Sequence, residues 1–135
     1  MKTATMLALT VLRVTGLVQI VLGVLFWTGN ALGLIPLHMR VGFVLVVSLL
    51  TLALLAARAG VSSPLVSLAL AWGAAVPVLG LTQTRLLPGD GHWVIQAIHL
   101  LLGLGAIGVG EELAGRITAG SPAQREVGGW RGLAR

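Results

Sequence analysis

Two histidines stand inside long apolar stretches, His38 in Leu-His-Met-Arg-Val-Gly and His99 in Ile-His-Leu-Leu-Leu-Gly, each followed four residues later by a glycine, Gly42 and Gly103. Ionisable groups within a membrane-type helix are costly, turn inward as a rule and count as functional candidates by default. Neither histidine has a carboxylate or thiol close by in the sequence. Two inward imidazoles at one depth, without a third ligand, suit haem b with an axial histidine on each face. The glycine one turn deeper on the same helix face leaves room for a flat macrocycle. Two other uses compete: hydrogen bonding of the imidazoles across the bundle, and metal transport or copper binding through His and Met39, for which carboxylates and a methionine array are lacking.

A second pattern links these histidines. Gly16-Leu-Val-Gln-Ile-Val-Leu-Gly23 and Gly73-Ala-Ala-Val-Pro-Val-Leu-Gly80 share the form Gly-x4-Val-Leu-Gly, and each precedes a helix bearing His-x3-Gly. The repeated order predicts two helical hairpins related by an axis along the membrane normal, a parallel repeat. With Asn30 and Asp90 as expected caps of the second and fourth helices, both rings sit roughly 12–14 Å in from the outer ends. Gly16, Gly23, Gly73 and Gly80 either open space for the macrocycle or serve as small-residue helix contacts. Gln19, between two of them, reads as interhelical glue rather than a quinone ligand.

Anionic haem propionates are expected to point to the nearer, outer surface. Their candidate partners are Arg85, His92 and Gln96, the last sharing a face with His92 and His99. Arg40, two residues after His38, points away by about 200° and is expected to snorkel to lipid phosphate.

The elements that must hold these residues follow from composition. Of 135 residues 56% are hydrophobic and 10% charged, and the mean hydropathy of +0.98 lies far outside the soluble range. A bilayer core takes roughly 20 apolar residues per helix, which predicts an all-α integral membrane bundle of four helices at about 6–27, 32–57, 65–84 and 92–113. Residues 1–115 form that domain and 116–135 a basic tail, disordered or lying on anionic lipid. Lys2 and a short apolar run mimic a signal peptide, but Arg13 interrupts the run and no small-x-small cleavage site follows, so an uncleaved first helix is expected.

Lys2, Arg13, Arg58, Arg116, Arg125, Arg131 and Arg135 gather at one set of helix ends, placing both termini in the cytoplasm and the chain in the cell membrane as a multi-pass protein. Trp27, His92 and Trp93 fall at the level of the opposite aromatic belt. Glu111 and Glu112 read as headgroup-level charges offset by Arg116, and Trp130 as an interfacial anchor. The net charge of +5 is thus topological rather than a nucleic-acid footprint. With no cysteine, disulfides, thiolate catalysis and Cys-held metal centres are excluded, and no hydrolytic, phosphoryl-transfer or nucleotide motif is present.

The Leu-His-Met-x-x-Gly and Ile-His-Leu-Leu-Leu-Gly segments resemble the haem-binding helices of small bacterial four-helix membrane cytochromes b. Leu25 to Gly29, Val78 to Thr84 and His92 to Gln96 extend the likeness over about Gly16 to Gly115. The resemblance implies one b-type haem between helices two and four, ligated by His38 and His99. With only three histidines the chain departs from two-haem members. The function expected is transfer of single electrons between membrane partners such as a quinone or another redox protein, by an electron carrier rather than a catalyst. A homo-oligomer is compatible with the sequence. The rival expectation is a haem-free structural or accessory subunit, or a small-solute transporter.

Overall fold

The computed structural model describes residues 1–120 and folds into four packed α-helices, with no strand among the described residues. Helix α1 spans Lys2–Trp27, α2 Ile35–Arg58, α3 Ser63–Thr82 and α4 His92–Ala119. Short 3-10 turns, Leu32–Leu34 and Gln83–Arg85, lead into α2 and out of α3. The helices lie where the apolar stretches place them, with shifted ends.

The largest shift is at α4, which continues through 116–119, a segment expected to belong to a disordered tail. Leu113, Ala114 and Ile117 are buried there on one helix face, and Arg116 pairs with Glu112 one turn earlier at 2.6 Å. Arg125, Trp130, Arg131 and Arg135 lie outside the described residues. Helix α1 begins at Lys2, not Met6.

The expected caps are also corrected. Asn30 turns back to α1, donating from Nδ2 to the Thr28 hydroxyl at 3.0 Å and the Thr28 carbonyl at 3.3 Å. Asp90 makes no cap, and α4 starts after Gly91 without a side-chain hydrogen bond. Helices α2 and α3 start instead on a proline in the first turn, Pro36 and Pro64, where a missing N–H costs nothing and φ is preset. Their predecessors stop on glycines in the left-handed region, Gly29 and Gly60, both with φ +74°. After each, a residue reaches back five positions: Asn30 N–H to the Leu25 carbonyl at 2.8 Å and Val61 N–H to the Ala56 carbonyl at 3.0 Å.

Around the bundle each helix packs on its chain neighbours, α1 also packs on α4, and α2 touches α4 across the diagonal, whereas α1 and α3 do not meet. Two similar hairpins facing one another require this arrangement. Space left by the absent α1–α3 contact is filled at one end only. Where α1 begins, Leu12, Leu49, Leu52 and Leu113 are fully buried against Ala53, Ala56, Ala69 and Ala106, and the Leu12 side chain presses on Gly110. At the other end the bundle is hollow.

Between the charged residues the outer surface is broadly apolar. Leu7, Leu17, Val78 and Leu101 are each more than 60% exposed, a surface that a water-soluble domain does not present on every side. All four helices are long and apolar enough to cross a membrane. Hydroxyls within them satisfy themselves locally, as with Thr15, Ser48 and Thr51 on carbonyls one turn back at 2.7–2.8 Å.

Candidate functional site

The hollow half holds a cavity of about 500 Å³ walled by all four helices, within the range of small-molecule and cofactor pockets. His38 enters from α2 and His99 from α4, the two helices that approach across the diagonal. Their ring centroids are 6.3 Å apart with planes inclined by 54°. Each ring is partly buried, and each Nδ1 is buried without a hydrogen-bond partner. Phe26 of α1 meets His38 edge-on at 5.3 Å and 68°, which fixes the ring from the outer side.

The glycines divide into two uses. Gly23 and Gly103 line the cavity with nothing within 4 Å of a Cβ built on either. Gly80 also lines it and gives its space to His99, whose Cε1 would lie 3.1 Å from that Cβ. Gly42 lines it too, but its space is taken by the amide nitrogen of Gln19. Gly16 stands at the cavity's deep end beside the Ile107 side chain, 2.6 Å from its would-be Cβ. Gly73 is not part of the wall: Leu50 packs on it at 2.8 Å, so this position serves helix packing alone.

Of the expected outer partners, His92 and Gln96 line the mouth and Arg85 does not; Arg85 ends its 3-10 turn exposed. His92 Nδ1 lies 3.2 Å from the Leu86 carbonyl. A carbonyl only accepts, so Nδ1 carries the proton and donates, leaving Nε2 as the free nitrogen. Gln83 and Thr84, which the sequence reading passed over, complete the polar side of the mouth. Their position depends on where α3 gives way to the 3-10 turn, which no local spacing signals. Met39 lines the cavity and Arg40 is exposed beside it.

Gln19 is the residue the sequence undervalued. It sits on α1 at the level of Gly42, one turn deeper than His38, and its Oε1 is buried with no partner. Gln19, His38 and His99, all lining one cavity, thus each carry a buried polar atom without a partner, Gln19 Oε1 and the two imidazole Nδ1. Such groups cost roughly 1–3 kcal/mol each when left unpaired. Among the described residues no three His, Asp or Glu side chains converge, so the two histidines are the strong metal ligands of the cavity, and a tetrapyrrole would bring four donors of its own.

The pair also fits the distance that one iron imposes. Two metal–nitrogen bonds of about 2 Å, with about 1.1 Å from each nitrogen to its ring centre, put the centroids roughly 6 Å apart. The 6.3 Å observed is of that size. Comparisons with family models, with curated proteins and with solved structures return no match to this chain.

Proposed function

We propose that the chain is a membrane-spanning b-type cytochrome, holding one haem between His38 and His99 and relaying single electrons. The observation that carries the reading is the 6.3 Å separation of the two imidazoles across a cavity walled by glycine and apolar side chains. When bound, such a haem would supply reversible one-electron chemistry. With no cysteine in the chain, the ring is held by coordination and packing alone.

The residues divide the work by position. His38 and His99 would hold the group from the two helices that meet on the diagonal. Gly23, with nothing within 4 Å of a Cβ built on it, would leave room for the ring beside α1, and Gly80 would seat the imidazole of His99. Phe26 and the apolar wall exclude water from the His38 side. Gln83, Thr84 and Gln96 at the mouth, beside His92, would offer hydrogen bonds to carboxylates reaching outward. The leucine-filled half separates the site from the opposite face, so electrons crossing the whole bilayer require a second carrier.

Membrane insertion is supported by the four apolar spans. A cytoplasmic location of both termini is supported by Lys2, Arg58 and Arg116 at one end of the bundle, and by Trp27 and Trp93, 45% and 58% exposed, at the other. Titrating haem into the detergent-purified chain tests the reading. One equivalent bound per chain, with a sharpened Soret band, is the expected result. A folded chain that takes up no haem removes the cytochrome reading and leaves the haem-free subunit or solute carrier.

A further inference from the structure

Gln19 is the polar side chain at the deep end of the cavity, and nothing in the described structure pairs with its buried oxygen. Its amide nitrogen packs on Gly42, four residues along α2 from His38, about 6 Å deeper on the helix rise. On α4 the corresponding position is Gly103, which faces open space. A macrocycle held by the two histidines would meet Gln19 where its rim extends one helical turn inward, ~5.4 Å along α2 from His38. The surrounding wall there is Ile20, Leu45, Val46 and Ile107, with Gly16 beneath. A hydrocarbon rim at this level would leave the amide oxygen unpaired, whereas a rim bearing a hydroxyl would donate to it.

We infer that Gln19 is a specificity-determining residue of the site, selecting a non-covalently held tetrapyrrole whose inward rim carries a hydrogen-bonding oxygen over one whose rim is purely hydrocarbon. The inference rests on the haem reading and refines which ring the site takes. The amide offers both a donor and an acceptor, so a hydroxyl satisfies it in either orientation of the side chain. The carboxylate edge of the ring lies at the mouth, with Gln83, Thr84, His92 and Gln96, and does not compete for Gln19.

The test is reconstitution of the purified chain with two iron porphyrins that differ at the rim alone, one with 1-hydroxyethyl groups and one with ethyl groups in their place. Kd is measured for each in the wild type and in Gln19→Leu, with Gln19→Met as the substitute if the leucine variant does not fold. One hydrogen bond is worth about 1 kcal/mol, so the ratio of the two affinities is expected to change by about fivefold. The wild type favours the hydroxyethyl ring relative to the variant. The same ratio in wild type and variant overturns the inference while leaving the haem reading standing. Binding of neither porphyrin by folded wild type overturns both.

Discussion

A Cβ built on Gly80 stands 3.1 Å from Cε1 of His99, so the ring of one histidine occupies the space that a glycine on the neighbouring helix leaves open. The equivalent pair in the first hairpin is Gly23 and His38, yet Gly23 has nothing within 4 Å and His38 leans on Phe26. The duplicated helices thus present two imidazoles in unlike surroundings. His99 is seated by a missing side chain and His38 by an aromatic one. This difference also separates glycines that make room for a ligand from glycines that let helices touch.

Substituting the glycines one by one should expose that division. Gly23→Ala and Gly103→Ala are expected to stabilise the ring-free protein by up to about 1 kcal/mol through helix propensity, and Gly23→Leu and Gly103→Leu to fill the cavity and cut haem uptake. Gly73→Ala pushes on Leu50 and should cost about 1–3 kcal/mol without changing haem affinity in the protein that folds. Unfolding in detergent and haem titration check the two effects separately. A Gly103→Leu variant with undiminished uptake contradicts the assignment of that glycine to the cavity wall.

Trp72 fastens α3 to α4 one turn deeper than the histidines. Its Nε1 donates to the Leu102 carbonyl at 2.8 Å, and its ring lies 2.6–2.8 Å from a Cβ built on Gly105. Gly105→Ala should therefore cost about 1–3 kcal/mol by overpacking and Trp72→Phe about 1 kcal/mol for the lost hydrogen bond. In the phenylalanine background the alanine should cost less, because the clashing indole atoms are gone. A double-mutant cycle measures the coupling, expected at about 0.5–3 kcal/mol; strictly additive effects contradict the contact.

Orientation is testable because the chain has no cysteine. Asp90→Cys and Ala119→Cys place single thiols at opposite ends of the bundle. A membrane-impermeant maleimide on intact cells should label the first and leave the second unlabelled until the membrane is opened. The reverse pattern contradicts the proposed topology.

Much of the fold is visible in the apolar stretches themselves, because helix length and a bilayer's thickness leave a chain of this composition few arrangements. The pairing of His38 and His99 is partly local information, carried by the glycine one turn on from each, but their distances from the helix ends are not the equal, roughly 12–14 Å expected: His38 lies three residues into α2 and His99 seven into α4. What the sequence does not display is anything decided by register between helices. Arg13 holds Glu111 with bonds of 2.5 and 2.7 Å across α1 and α4, a partnership 98 residues apart in sequence, whereas the sequence reading set Arg116 against both glutamates. Arg116 serves Glu112 alone. Gly42 was expected to bare a flat face, but Gln19 from α1 lies on it. Asn30 and Asp90 have the side chains of helix caps, yet prolines in the first turns of α2 and α3, and a tight turn at Gly91, set where helices begin.

Whether His38 and His99 share one iron is tested most directly by the dithionite-reduced minus oxidised absorption spectrum of the purified, haem-loaded chain beside His38→Ala and His99→Ala. The wild type is predicted to show sharp alpha and beta bands with a shifted Soret band, and both variants to lose the low-spin signature while keeping their helical fold. A wild-type spectrum of the same form in either variant contradicts the account.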